Sequence, residues 1–424
     1  MKKSVLLLAL LFAAFFSFDI HSQDVENAGQ QVQEKENASS KNLRVVRFNI
    51  DGLKRTRRSY MDNLLAEFLD KSADEKTLKA VETKLQAENL FDQIKVSYSQ
   101  ISEEEAVVDI SFKEKWSLIP LPFGYYTGDS FGAGLFVMDM NVLGQHCMAT
   151  IGGLYSSSGM MGVGLFQKPP AKKGGVGFSV AGNVSKSLHQ FANSKNYKVF
   201  EYDNFYAGVK GALLFKPTNS THASVGVGYS FFNPIDSPQV QRRNQWSAEA
   251  SWGIASSSWN GFFLSVNSFS VGTELLFSDV SRQRFAPTGN FSAQVQRAVI
   301  PRLRLMSGCK GFFSNNLLET NYVGRSLSGV TLLPTKFVTD QIFGFYTGFE
   351  AALVKTKFGL LSLYGLFELA AAKDWDGSVY SCIGPEGGAR FYFSKLAFPA
   401  FAMGVAYNIN EDVVQFSLSG GASF

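Results

Sequence analysis

Apolar and polar residues alternate with a period of two along most of this chain. At its end, Val414, Phe416, Leu418, Gly420, Ala422 and Phe424 share one parity, while Gln415, Ser417, Ser419, Gly421 and Ser423 share the other. Successive side chains of a strand point to opposite faces, so this is a strand with one apolar and one small, polar face. It runs for about a dozen residues, near the ~9–11 that a tilted strand needs to cross a bilayer.

The same alternation recurs from Ser117 onward. Val176, Phe178, Val180 and Val184 oppose Gly177, Ser179 and Asn183, and Leu361, Leu363, Phe367 and Leu369 oppose Ser362, Tyr364 and Glu368. Sixteen candidate strands start near residues 117, 130, 146, 160, 174, 198, 221, 244, 260, 288, 302, 346, 359, 386, 398 and 413. An even number is what a single-chain bacterial barrel requires. The connections sort by parity. Even-numbered ones are tight, at Pro169-Pro170, Pro217–Ser220, Ser257-Ser258, Ile300-Pro301, Lys357-Phe358 and Ser394–Ala397. Several odd-numbered ones are long, at 189–197, 233–243, 278–287, 315–345 and 373–385. Tight turns at one end and long loops at the other are the signature of an outer-membrane barrel. The expected fold is therefore an all-β transmembrane barrel of sixteen antiparallel strands over residues 117–424.

Residues 43–116 have a different texture. Val45, Val46, Phe48 and Ile50 predict a strand ending at Asp51-Gly52. Ser59 with Asp62, and Ser72 with Glu75, predict two capped helix starts. Met61, Leu64, Leu65, Phe68 and Leu69 form the apolar stripe of the first helix, and Leu78, Val81 and Leu85 that of the second. Two strands follow, the first through Ile94 and Val96, the second through Val107, Val108, Ile110 and Phe112. The acidic run Glu103–Glu105 between them reads as a solvated turn. The order is β-α-α-β-β, a small α+β domain.

Ahead of it, Lys2-Lys3, an apolar run from Val5 to Phe18 and a polar stretch predict a signal peptide over residues 1–22. Residues 23–42, rich in Gln, Glu, Asn and Ser, read as a flexible linker.

Composition narrows the chemistry. The 424 residues include 39 Gly and 39 Phe, which suits many strands with aromatic girdles. A net charge of +4 is too small to argue for nucleic acid. The three cysteines, Cys147, Cys309 and Cys382, lie too far apart for a zinc or disulfide framework. The histidines beyond the leader, His146, His189 and His222, sit on separate segments. No catalytic, cofactor-binding or metal-ligating constellation stands out, so neither an enzyme nor a cofactor is expected.

The order of elements resembles the outer-membrane assembly and secretion barrels of the BamA and TamA type, in which POTRA domains precede a sixteen-stranded barrel. The resemblance covers residues 43–424. It rests on Phe48, Ile50 and Gly52 in the first strand, on Asn89–Ile94 with Phe91 and Ile94, and on Glu114-Lys115-Trp116. Gly132, Gly134 and Asn141-Val142-Leu143-Gly144 continue it into the barrel. It makes the N-terminal domain a single POTRA domain in the periplasm, and the barrel a resident of the outer membrane of a diderm bacterium. In the family, a long sixth loop carries an arginine motif before strand twelve, paired with an acid on strand thirteen. Here the motif position reads Ile342-Phe343-Gly344-Phe345, with no arginine. The acid is retained as Glu368. Its substitute partner is expected to be Arg390 on the next strand, or Arg325 in the loop, with Phe343 anchoring the loop; Glu350 is a further lumen charge.

The resemblance implies assembly, insertion or export of client polypeptides by strand templating. The templates are the POTRA edge near Ile94–Ser99 and the seam between the first and last strands. Phe416, Leu418, Gly420 and Phe424 then form the terminal strand signal. Periplasmic or lipoprotein partners are implied as well as outer-membrane lipid. The other reading is a passive pore or surface barrel with a vestigial POTRA domain.

Overall fold

The computed structural model describes residues 43–424 except 128–129, 158, 171, 196, 236–239, 281–283, 316–327, 335–336, 394–400 and 421–424. The segment expected to hold the leader and linker, Arg325 and Phe424 lie outside the described residues.

The N-terminal domain opens with β1 (Arg44–Asp51), followed by α1 (Arg58–Leu65) and a single 3-10 turn over Ala66–Phe68. Helix α2 (Glu75–Ala87) and the strands β2 (Phe91–Gln100) and β3 (Glu105–Glu114) complete it. The sheet order is β1-β3-β2, with β1 parallel and β2 antiparallel to the central β3. Both helix N-caps lie two residues from the expected positions. Asp74, not Ser72, accepts from the Thr77 N–H at 2.8 Å, and α1 begins after Arg57 with no side-chain cap. The apolar stripes pack on the sheet as expected: Met61, Leu65, Val81 and Leu85 are buried against Val45, Val108 and Ile110. Leu69 is the exception, turned outward where the 3-10 turn unwinds the stripe.

Sixteen strands then form one antiparallel sheet in strict sequence order, so each pairs with its chain neighbours. The first four are β4 (Leu118–Thr127), β5 (Ser130–Val142), β6 (Cys147–Ser156) and β7 (Gly159–Lys168). The next four are β8 (Val176–Ala192), β9 (Lys198–Phe215), β10 (Thr221–Ile235) and β11 (Arg243–Asn260). Then come β12 (Phe263–Ser278), β13 (Phe285–Ile300), β14 (Leu303–Ser314) and β15 (Gln341–Lys355). The last are β16 (Gly359–Lys373), β17 (Val379–Phe393), β18 (Phe401–Asn408) and β19 (Val413–Gly420).

The alternation divides the residues by face. Val180, Val209, Val227, Trp246, Leu275, Phe349, Leu363, Met403 and Phe416 are exposed on one face. Arg304, Glu350, Ser362, Glu368 and Arg390 are buried on the other. A continuous exposed apolar belt with charge inside is the reverse of a water-soluble core, and it is the polarity of a barrel in lipid. Closing every ladder in a barrel also satisfies the backbone where water is absent. Among the described residues no helix is long and apolar enough to cross a membrane.

Several of the expected connections move. Ser257 and Ser258 lie within β11, and the turn sits at Gly261-Phe262 instead. Most of 373–385 is β17, leaving only 374–378 as a loop. Serines and small polar residues at a strand end look like a turn until their ladder partners are known.

Candidate functional site: a plugged lumen and an edge-poor first strand

The motif expected in loop six lies within β15, whose start at Gln341 precedes it. Strand parity then divides its residues. Ile342 and Gly344 point inward and Phe343 and Phe345 outward, so Phe343 cannot anchor the loop; its ring lies beside Phe291 at 6.3 Å. The anchoring falls to Ile342, buried with Val330, Leu332, Leu333 and Phe337 of the loop and Ala370, Cys382 and Ala406 of the wall. Gly344 makes this approach possible. A Cβ there would meet the Ser328 carbonyl oxygen at 2.2 Å, so the loop backbone occupies the space of a side chain. This stretch of the loop, from Ser328, is thus packed inside the barrel.

Glu368 and Arg390 do not pair. Arg390 donates to Glu350 at 2.7 Å, as does Arg304 at 2.6 Å. Tyr392 donates to the second Glu350 oxygen at 2.8 Å, and Ser362 donates to it as well. Arg304 also reaches Gln296 at 2.7 Å, and Arg390 stacks over Tyr364 at 4.3 Å. A buried carboxylate costs several kcal/mol unless its lone pairs are filled, and here both oxygens are. The register explains the choice. Glu350 lies opposite Arg304 on β14, and Ser362 on β16 opposite Arg390, so the three charges converge at one level. Glu368 sits several residues farther from the domain end, opposite Gly384.

Glu368 has a different task. It accepts from the Thr331 N–H of the loop at 2.9 Å, and its carboxyl lies beside that of Glu386. Glu386 in turn accepts from Tyr364 at 3.0 Å and from Ser417 of β19 at 3.1 Å. The chain of contacts therefore runs from the plug through two carboxyl groups to the last strand. At the mouth remote from the N-terminal domain, Asp374 accepts from Ser194, and Trp375 donates to the Ala192 carbonyl at 3.2 Å. Ala192 also bridges to Phe337 of the plug.

The two ends of the sheet are β4 and β19. Met140 N–H donates to the Ser117 carbonyl at 3.0 Å, while Leu118 lies directly opposite Asp139. That geometry makes Leu118–Asp139 a non-hydrogen-bonded pair, so the even-numbered amides of β4 point away from β5. Pro120 and Pro122 are both even. Their missing N–H groups thus fall on the edge of β4 that faces the end of the sheet. On β19, Phe416 is exposed on the outer face beside Val405, Leu418 pairs with Met403 and Gly420 with Phe401.

The N-terminal domain grips the barrel at its tight-turn end. Glu114 accepts the Arg55 and Thr56 amides at 2.8 and 3.0 Å, and Arg55 reaches Asp139 of β5 at 2.8 Å. The Arg57 N–H donates to the Gly144 carbonyl at 2.8 Å. His146 meets Glu88 at 2.6 Å, and Tyr60 donates to the same carboxylate. Burial works to raise Glu88, but the His146 contact outweighs it and holds the carboxyl below its ordinary value. The matched residues of this domain are structural. Phe48 and Phe91 are buried in its core, with Ile50 and Ile94 packed at its margin. Gly52 has φ +100°, and a Cβ there would meet the Phe112 carbonyl oxygen at 2.0 Å. Strand β2, which carries Ile94, is an edge of the sheet.

Sequence reading passed over Arg304, Ser362, Glu386 and Tyr392, and over the Glu88–His146 contact. Inward parity marks the first four, but only the register shows which of them meet.

No known protein family matches the sequence, and no curated protein does. Solved structures do match. BamA from Haemophilus ducreyi, in a form lacking POTRA domains 1–3, is 12% identical with a TM-score of 0.50, covering 89% of this chain and 84% of that one. CdiB from Escherichia coli is 10% identical with a TM-score of 0.55, covering 92% and 90%. CdiB from Acinetobacter baumannii is 12% identical with a TM-score of 0.55, covering 89% and 74%. At these identities the likeness is one of fold.

Proposed function

We propose that the protein is an outer-membrane barrel of the assembly and translocation type, which helps polypeptides insert into or cross the membrane by templating strands at the β4–β19 seam. In this reading the N-terminal domain is a single POTRA domain in the periplasm, offering the β2 edge to incoming chains. Barrel-edge pairing is a means of recognising an extended peptide, because free N–H and C=O groups accept a new strand. The observation that carries the proposal is the pair of prolines whose missing donors both lie on the outer edge of β4. A seam short of two hydrogen bonds opens more easily than any other ladder of the wall. The fold shared with BamA and CdiB supports the same reading, and the plugged lumen speaks against a steady open pore.

The test locks the seam. Cysteines are placed at Gly124 of β4 and Gly420 of β19, with Cys147, Cys309 and Cys382 replaced by Ser or Ala. Cells carrying the oxidised form should lose a defined set of outer-membrane or secreted proteins, and reduction should restore it. An unchanged outer-membrane proteome in fully crosslinked cells, together with constant conductance in planar bilayers, would leave the passive-barrel reading in its place.

A further inference from the structure

The outer wall carries a feature that strand templating does not use. Strands β4 to β8 line an open, largely apolar hollow of about 430 Å³ near the domain end. Its floor is Gly164 and Gly182, which lie opposite one another, and its walls include Val137, Ile151, Phe166 and Val180. Ile151 and Val180 are exposed, so the hollow opens to the lipid side. A Cβ built on Gly164 meets nothing within 4 Å, so the missing side chains leave real space.

Following β7 and β8 toward the domain, the same face changes from apolar to cationic. Lys168 shares the parity of Phe166 and lies opposite the exposed Phe178. The β7–β8 turn then presents Lys172 and Lys173. With Lys84, Asn63 and Asn219 they line a second cavity of about 220 Å³ between the N-terminal domain and the barrel turns. The one carboxylate there, Glu67, is already engaged by Lys84 at 2.9 Å and Asn219 at 2.8 Å. Among the described residues neither Lys172 nor Lys173 has an ion-pair partner. Lys216, on the adjacent β9–β10 turn, is held below the usual lysine range by burial and by the charge of Lys84. The region carries more positive charge than it neutralises.

We infer that this surface binds one anionic phospholipid of the bounding leaflet, its acyl chain in the Gly164–Gly182 hollow and its phosphate among Lys168, Lys172 and Lys173. The order of the two features along one strand pair is that of a lipid at a membrane surface, and lysines at this level reach anionic headgroups. Because Lys84 and Asn63 belong to the N-terminal domain, the bound headgroup bridges that domain to the barrel. The inference rests on the barrel being embedded in lipid, and is independent of any client-handling activity.

The test uses full-length protein reconstituted in phosphatidylethanolamine vesicles doped with spin-labelled phosphatidylglycerol or spin-labelled phosphatidylcholine. The wild type should show a motionally restricted population that prefers phosphatidylglycerol. The K172Q/K173Q variant should lose that preference by about thirtyfold, from roughly 1 kcal/mol per surface lysine. Gly164→Leu should reduce the restricted population for both headgroups, because it fills the hollow. Inorganic phosphate, tested as a soluble competitor, should displace little of the label. Equal restriction of both lipids in all three proteins would overturn the site while leaving the barrel intact. Full displacement by phosphate, with Gly164→Leu inert, would overturn the acyl half of it. Failure of the wild type to enter vesicles would overturn the membrane reading beneath it.

Discussion

The wall formed by β14–β17 and the wall formed by β4–β7 are built differently, though they belong to one sheet. The first buries Arg304, Glu350, Glu368, Glu386 and Arg390 on its inner face and holds a loop against them. The second is rich in glycine, with Gly152, Gly153, Gly159, Gly162 and Gly164 on β6 and β7. Among the described residues no ion pair joins its strands. Buried charge pairs fix register, because a slip of one residue would strand each charge against the wrong face. Glycine strands have little side-chain packing to fix it. The two ends of the sheet, β4 and β19, thus lie on differently built sides, with Ser417 tying the last strand to the charged side through Glu386.

The strongest way to break this contrast is to remove its central carboxylate. Glu350→Ala leaves Arg304 and Arg390 buried without their partner, and should destabilise the folded barrel by about 3–5 kcal/mol in urea unfolding from vesicles. Thr150→Val on the pliant wall should be neutral or slightly stabilising in the same assay, since among the described residues the buried Thr150 hydroxyl has no partner to lose. Equal losses at both sites would erase the distinction.

A smaller effect tests the plug. Gly344→Ala drives a methyl into the Ser328 carbonyl and should cost about 1–3 kcal/mol. It should also open the 328–340 stretch to limited proteolysis. Gly164→Ala, with open space at its Cβ, should stay within about 0.5 kcal/mol of the wild type. Unchanged cleavage in Gly344→Ala would show that the loop does not depend on this close approach.

The smallest effect concerns the joint between domain and barrel. The Glu88 carboxyl is held below its ordinary value of 4.5, so its contribution to docking is complete above that pH and is lost as pH falls through the lower folded value. Hydrogen-exchange protection of the 143–146 turn should therefore fall as the pH drops into acid. Glu88→Gln should remove that acid step, and an identical acid profile in the variant would assign it to another group.

Much of this was legible in the chain itself. Period-two alternation located all sixteen strands, because a lipid-facing strand must be apolar on one side and a lumen-facing side tolerates small polar groups. Helical periodicity located both helices of the N-terminal domain, though each start was displaced by two residues: Ser72 and Asp74 are both acceptable caps in isolation, and α1 starts after Arg57 with no side-chain cap. Parity also placed Glu350, Glu368 and Arg390 on the inner face. Sequence could not say which of them meet. Pairing across strands depends on register, and an offset of six residues between the levels of Arg390 and Glu368 leaves Arg390 to Glu350. Likewise Ile342–Phe345 looks like a loop motif until the ladder with β16 shows it to be strand, which turns Phe343 out to lipid. The edge to which Pro120 and Pro122 deny their hydrogen bonds was decided by a single contact, Met140 to Ser117, that only the folded sheet contains. The sequence alone determined a barrel, because burial preference is local and periodic. The tertiary structure decided its charge network, its plug and its weak edge, because these depend on which distant residues come to the same level.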